Sequence, residues 1–184
     1  MMKLIFDKMS AVVAAQISRW IYPEPYSIYN LGNNDACHRE LLGGLYFSAH
    51  DENGTLWGYY CVGKAAQVPA GGAFGVYDPT DRTDIGLGMN PSFCGLGRGA
   101  DFVTQGLTFV QGEFSVTRFR LTVASFNLRA IKVYEQTGFT QMASFVRVSK
   151  PGKMKFLVME KGVGGDGLDH ETADRRGSGT GKNR

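Results

Sequence analysis

Apolar residues fall at two periods along this chain, one helical and one of strands. Met9, Val12, Val13, Ile17, Trp20 and Ile21 recur at helical spacing. That predicts an amphipathic first helix, capped by Asp7 or Ser10 and ended by Pro23 and Pro25. Leu45–Ala49 and Leu56–Val62 are apolar runs flanking Asp51-Glu52-Asn53-Gly54, and Asn-Gly between such runs predicts a β-hairpin. Asp84–Met89 reads as a short strand, stopped by Asn90 and Pro91 because proline lacks the N–H that a ladder needs. Ala100, Val103, Leu107 and Val110 share one face of a helix that starts at Gly97 or Gly99 and ends near Gln111 or Gly112. A strand over Phe119–Ala124 and a helix over Asn127–Gln136 follow, with Gly138 at the helix C-cap. Met142–Val148 and Met154–Met159 alternate as two further strands around Pro151-Gly152. Gly63–Pro79 is glycine-rich and without period, and reads as a long loop near a site.

The predicted order is helix, hairpin, central strand, helix, strand, helix, hairpin. That is a mixed α/β fold with an antiparallel front and a parallel pair where a helix crosses over. The chain has 184 residues, 43% of them hydrophobic, enough for one domain with its own core. From Gly162 onward the composition changes. Gly162–Arg184 is glycine-rich, mixed in charge and without an aromatic residue. The expected division is therefore a domain over 1–160 and a disordered tail over 161–184.

Composition also narrows the chemistry. No apolar run reaches the ~18 residues of a membrane span, and MMKLIFDKMS lacks the apolar core of a secretory leader. Cys37, Cys61 and Cys94 show no C-x-x-C spacing, and His38, His50 and His170 are scattered. Neither a disulfide framework nor a metal centre is expected, and a reducing cytoplasm fits best. The net charge of +3 is small and evenly spread, which argues against nucleic acid or a membrane surface as a partner and suits an anionic cofactor. The protein is expected as a monomer, or as a homodimer through an edge strand near the C-terminus.

The stretch Asp84–Val103 carries the strongest chemical signal. A strand, a turn with Gly95, Gly97 and Gly99, and a helix start together make an anion site. The first N–H groups of a helix have no internal partner, the macrodipole is positive there, and glycine lets the backbone approach a diphosphate. Gly95-Leu96-Gly97-Arg98-Gly99-Ala100 also fits the dinucleotide pattern G-x-G-x-x-G/A. A nicotinamide or flavin enzyme, however, wants a carboxylate at the end of the next strand for a ribose. Here that strand ends in Ser125-Phe126-Asn127.

Two segments taken together are more specific. Cys94-Gly95-Leu96-Gly97-Arg98-Gly99 follows a strand that ends near a proline. Further on, Asn127, Ala130, Tyr134, Gly138 and Phe139 fit N-x-x-A-x-x-x-Y-x-x-x-G-F at every named position. In this order and spacing they resemble the GNAT superfamily of acyl-CoA-dependent N-acyltransferases. The family loop is R/Q-x-x-G-x-G/A, so Cys94 is a departure at its first residue. The grip on phosphate is mainly backbone and does not depend on that side chain.

The resemblance implies a mainly antiparallel sheet whose two central parallel strands, Asp84–Met89 and Phe119–Ala124, splay apart to admit acetyl-CoA. It implies that Cys94, Gly95, Leu96, Gly97, Arg98, Gly99 and Ala100 hold the pyrophosphate and that Leu87 and Met89 line the pantetheine and thioester. Asn127 touches the cofactor, while Arg129 and Lys132 join Arg98 as candidates for the outer phosphate. Tyr134 is the expected general acid. Asp84 is the family-like position for the base, with Glu40, Asp78, Asp81 or a water chain as alternatives. The implied reaction is direct attack of a primary amine on acetyl-CoA in a ternary complex, without a metal and without a covalent step on Cys94. A non-catalytic acyl-CoA-binding or regulatory module on the same fold is the alternative. Trp20, Tyr22, Tyr26 and Tyr29 form an aromatic patch that serves either packing or the acceptor wall.

Overall fold

Alternating burial marks the strands and i, i+4 burial marks the helices of the computed structural model, which describes residues 3–150 and 152–163. In chain order the elements are β1 (Leu4–Lys8), α1 (Ala11–Ile17), α2 (Asp35–Leu41), β2 (Tyr46–Asp51) and β3 (Leu56–Val62). There follow β4 (Thr83–Met89), α3 (Gly99–Phe114), β5 (Arg118–Ala124), α4 (Leu128–Gln136), β6 (Thr140–Ser149) and β7 (Gly152–Gly162). The strands form one sheet in the order β1-β2-β3-β4-β5-β7-β6. Neighbours are antiparallel except β4 and β5, which are parallel because α3 crosses over between them. The fold is thus mixed α/β, with helices on both faces of a mainly antiparallel sheet.

The feature that shapes the molecule is the brevity of the β4–β5 pairing. These strands are paired only at Thr83↔Phe119 and Asp84↔Arg120. Beyond that point β4 stays laddered to β3 as far as Gly58↔Met89, and β5 stays laddered to β7 as far as Ala124↔Phe156. The two central strands therefore splay, and the edge of β4 from Ile85 to Met89 is unpaired on its β5 side.

Each face of the sheet has its own core. On the back, α3 and α4 cover Tyr60, Val62, Ile85, Leu121 and Val123 with Phe102, Val103, Leu107, Val110 and Tyr134. On the front, α1 and α2 cover Tyr46 and Cys61 with Ala14, Ile17, Cys37 and Leu41. A third cluster lies at the far end of β5, where Ala124, Phe145, Phe156 and Val158 meet Tyr29 and Phe126. Glycine permits the closest approach on the back. A Cβ on Gly106 of α3 would fall 2.1 Å from the Tyr60 ring, so the helix rests directly on β3 there.

Six features differ from the sequence expectation. α1 is short: it is capped by Ser10, whose Oγ accepts from the Val13 N–H, and it ends at Ile17 rather than near Pro23. The Ser18 hydroxyl donates back to the Ala15 carbonyl and also meets Asn33 and His38, a local competition that ends helices. Asp7, the other expected cap, lies in β1. That strand was not expected; its alternation is only five residues long, with Leu4 buried and Ile5 out. α2 was not expected either, although Asn34 caps it by accepting from the Cys37 N–H and Cys37 and Leu41 give it an i, i+4 buried stripe. The Gly63–Pro79 loop contains two 3₁₀ turns, Gly63–Ala66 and Pro69–Phe74. α3 runs on to Phe114. β7 includes Lys161 and Gly162 of the segment expected as a tail over 161–184, and from 164 on that segment lies outside the described residues.

Candidate active site

The open end of the β4–β5 gap leads straight into the glycine turn. Asn90 starts the turn: its carboxamide oxygen accepts from the Ser92 N–H and its Nδ2 donates to the Leu56 carbonyl. Pro91–Phe93 makes a single 3₁₀ turn, and Phe93 stacks on Trp57 with ring centroids 4.0 Å apart. The chain then needs left-handed backbone at Gly95 (φ +79°) and Gly97 (φ +73°), which only glycine adopts at little cost. Gly99 opens α3, and a Cβ there would meet Val133 of α4 at 2.9 Å. The first helical bond of α3 runs from the Phe102 N–H to the Arg98 carbonyl. The N–H groups of Gly95, Gly97, Gly99 and Ala100 have no partner among the described residues. Unpartnered donors at a helix N-terminus are the local chemistry that a diphosphate satisfies.

The cations expected at the loop are brought there unequally. Arg129 reaches it: its Nη1 lies 4.0 Å from where a Gly95 Cβ would stand, and its guanidinium covers the Tyr26 ring at 4.3 Å. Arg98 precedes α3 and is exposed, as is Lys132 on α4, and neither has an ion-pair partner among the described residues. Leu96 is exposed on the turn. Cys94 is half-buried, its Sγ 3.7 Å from the carbonyl oxygens of Met89 and Asn90. Burial raises its pKa against the opposing field of Arg129, which keeps it a thiol at neutral pH.

Asn127 and Tyr134 both belong to α4, the first as its N-cap and the second as its buried residue. The Asn127 side chain accepts from the Ala130 N–H, capping α4, and its Nδ2 donates to the Tyr29 hydroxyl at 3.2 Å. Tyr134 is 9% exposed and packs edge-on against Phe139. No hydrogen bond among the described residues engages its hydroxyl. Burial raises its pKa, with smaller contributions from Tyr29 and Cys61. Tyr134 belongs to the core behind the sheet, in one cluster with Tyr60 and Phe139. Burial pushes the Cys61 thiol itself up to about 12.

Leu87 and Met89 turn their side chains to the back core and leave their backbone on the gap edge. Tyr22, from the segment after α1, donates its hydroxyl to the Met89 carbonyl at 2.8 Å. The aromatic patch therefore sits on the front of the gap, with Tyr26 and Tyr29 packed on Phe126 at 6.0 and 6.3 Å. Trp20 instead packs on Tyr59. Aromatic density was the available sequence signal for Tyr22 and Tyr29, but it did not say which ring touches the gap.

Asp84 lies at the closed end of the gap and is 5% exposed. Its Oδ1 accepts from Arg120 Nε at 2.6 Å, and its Oδ2 from Arg120 Nη2 at 2.8 Å and Gln67 Nε2 at 2.7 Å. Arg120, 1% exposed, also donates to the carbonyls of Val76 and Pro79. Both carboxylate oxygens are thus engaged, and the pair ties the Gly63–Pro79 loop to the last β4–β5 rung. The other front-face positions of β4 are Gly86 and Gly88, packed under Cys61 and Tyr59. Glu40 accepts from the Tyr46 hydroxyl, and Asp81 pairs with Arg82 and Arg118. Among the described residues no cluster of histidine, cysteine and carboxylate side chains has the makings of a metal site, and no helix is long and apolar enough to cross a membrane.

The comparisons agree with this geometry. The family model described as the acetyltransferase (GNAT) family matches residues 13–139. No curated protein matches the chain. Among solved structures, an acetyltransferase (GNAT family) from Bacillus anthracis is similar with a TM-score of 0.66 at 14% identity, covering 88% of this chain and 97% of that one. The aminoglycoside acetyltransferase AAC(6')-Ib, in complex with coenzyme A and kanamycin, gives a TM-score of 0.62 at 20% identity, covering 87% and 95%. A mutant form of the spermidine/spermine N-acetyltransferase SpeG from Vibrio cholerae gives 0.62 at 14%, covering 86% and 94%. At these identities the likeness to solved structures is one of fold.

Proposed function

Since the chain belongs to the GNAT acetyltransferase family, we propose that it moves an acetyl group from acetyl-CoA to a primary amine by direct attack in a ternary complex. The observation that carries this reading is a continuous run of unsatisfied backbone. The unpaired edge of β4 leads into the unpartnered N–H groups of the glycine turn.

Acetyl-CoA supplies an activated thioester. In this reading the chain grips its pyrophosphate with the N–H groups from Gly95 to Ala100, with Leu96 and Cys94 shaping the turn. Arg129, Arg98 and Lys132 meet the outer phosphate. Leu87 and Met89 present their backbone to the pantetheine, and an N–H near Met89 faces the thioester oxygen as a fixed dipole. Asn127 contacts the cofactor arm while capping α4. Tyr134 donates its proton to the departing thiolate; burial keeps the phenol protonated well into the alkaline range.

Asp84 is a positioning residue here rather than the base, because its oxygens are spent on Arg120 and Gln67. The amine is drawn from its own neutral fraction. The protein works in a reducing compartment with its three cysteines free.

Thiol release from acetyl-CoA, measured across a panel of amines and pH values, tests the reading. Tyr134→Phe is expected to lower kcat by about a hundred- to ten-thousandfold and to leave acetyl-CoA affinity near wild type. The wild-type rate is expected to climb with pH toward the amine's own pKa, with no loss of the acid limb below the ordinary phenol range. An unchanged kcat in Tyr134→Phe would remove Tyr134 from the reaction.

A further inference from the structure

Beyond the gap, the front face of the sheet ends in Arg147, a cation that no carboxylate among the described residues pairs with. Phe145 and Arg147 are two residues apart on β6 and share a face. Phe145 stacks on Phe156 at 5.4 Å and on Phe74 at 5.6 Å. The Arg147 guanidinium lies over the Phe156 ring, 5.4 Å from its centroid, and its Nη2 rests 3.9 Å from Met154 Sδ. Its Nε is buried and makes no hydrogen bond among the described residues. The one carboxylate of the β6–β7 hairpin, Glu160, lies opposite Thr140 and pairs with Arg82, while the hairpin carries Arg147, Lys150, Lys153, Lys155 and Lys161. A half-buried guanidinium with no carboxylate beside it is uncompensated in charge, and an oxyanion at its outer edge supplies the missing charge.

Register places this cation at the rim of the acceptor side. Phe156 pairs with Ala124, the last residue of β5, and the Ser125 N–H donates to the Lys155 carbonyl. Arg147, opposite Met154, therefore lies level with Phe126. Phe126 packs on Tyr26 and Tyr29, and Tyr29 is held by Asn127 at the gap. One aromatic wall thus runs from the gap to Arg147. Two strand spacings separate β5 from β6, which puts the guanidinium on the order of 10 Å from the gap.

We propose that Arg147 is the anion-recognising residue of the acceptor cleft, so that the acceptor is an amine bearing a carboxylate or like oxyanion. The separation corresponds to roughly three extended residues between the reacting nitrogen and the oxyanion. The guanidinium fork matches a carboxylate with two parallel bonds, while polycationic amines are repelled by the basic hairpin. The inference rests on the acetyl-transfer reading for its placement of the acceptor.

Triglycine and triglycinamide have the same length and differ by one carboxylate. Both are titrated calorimetrically into the full-length protein in excess coenzyme A, for wild type, Arg147→Met and Arg147→Lys, and thiol release from acetyl-CoA is followed for both peptides. Triglycine is expected to bind wild type about ten- to a hundredfold more tightly than the amide. Arg147→Met binds the two equally, and Arg147→Lys keeps part of the preference as a point charge. Equal binding to wild type, or a preference that survives in Arg147→Met, overturns the assignment. A preference without thiol release upholds the Arg147 subsite and sinks acetyl transfer, while thiol release without a preference does the reverse.

Discussion

Asp84→Asn separates two roles that a carboxylate at the head of β4 can have. The substitution keeps the shape and removes the charge that faces Arg120, a guanidinium 1% exposed. Breaking a buried ion pair by removing one partner costs about 3–5 kcal/mol, because the other charge stays buried and uncompensated. Arg120 keeps its bonds to the Val76 and Pro79 carbonyls, at 3.0 and 3.1 Å, which places the loss toward the lower end. At about 2–4 °C per kcal/mol for a domain of this size, a loss of about 3 kcal/mol lowers Tm by about 6–12 °C. Differential scanning calorimetry on wild type and variant reads this directly. The same loss loosens the last rung between β4 and β5, so acetyl-CoA affinity falls with it. The double variant Asp84→Leu with Arg120→Met recovers part of the stability, since apolar side chains of similar volume replace such pairs at little cost. A Tm within about 2 °C of wild type, together with a large loss of kcat in Asp84→Asn, would refute the positioning role and return Asp84 to the place of the base.

Two further predictions concern the scaffold. Folding stability is expected to fall above pH ~10, because burial raises Tyr60 and Tyr134 above the phenol pKa they have when unfolded. The unfolded chain then loses protons that the folded one keeps, and each phenol costs about a tenfold change in the folding constant per pH unit up to its folded pKa. Urea melts at pH 8, 10 and 11 show it, and a flat profile would contradict it. Gly106→Ala places a methyl 2.1 Å from the Tyr60 ring and is expected to cost about 1–3 kcal/mol of overpacking; a neutral urea midpoint would mean that α3 shifts freely on β3.

The glycine turn and the α4 motif were legible in the sequence because local backbone demands dictate them. Gly95 and Gly97 are glycines for their positive φ, and Asn127 caps its own helix three residues ahead. Strands and helices with a full period were legible for the same reason. The bond between Asp84 and Arg120 was not, since 36 residues separate them and neither has a local signature. β1 and α2 were too short for their period to stand out, and the hydroxyl of Ser18 ended α1 against its apolar spacing. Tyr22 and Tyr29 were visible as aromatic residues, but only the tertiary fold sets one against the Met89 carbonyl and the other against Asn127. Arg147 has no local signature in the sequence, and only sheet register brings it onto the wall that leads to the gap.

The most direct test of the central claim is a calorimetric titration with acetyl-CoA, run on wild type and Gly97→Asp with NADH as a control. Gly97→Asp forces a side chain into left-handed backbone and sets a carboxylate where a diphosphate is to sit. The account predicts micromolar binding of acetyl-CoA to wild type, none to Gly97→Asp, and none of NADH to either. Silence of wild type with acetyl-CoA, or undiminished affinity in Gly97→Asp, would contradict it.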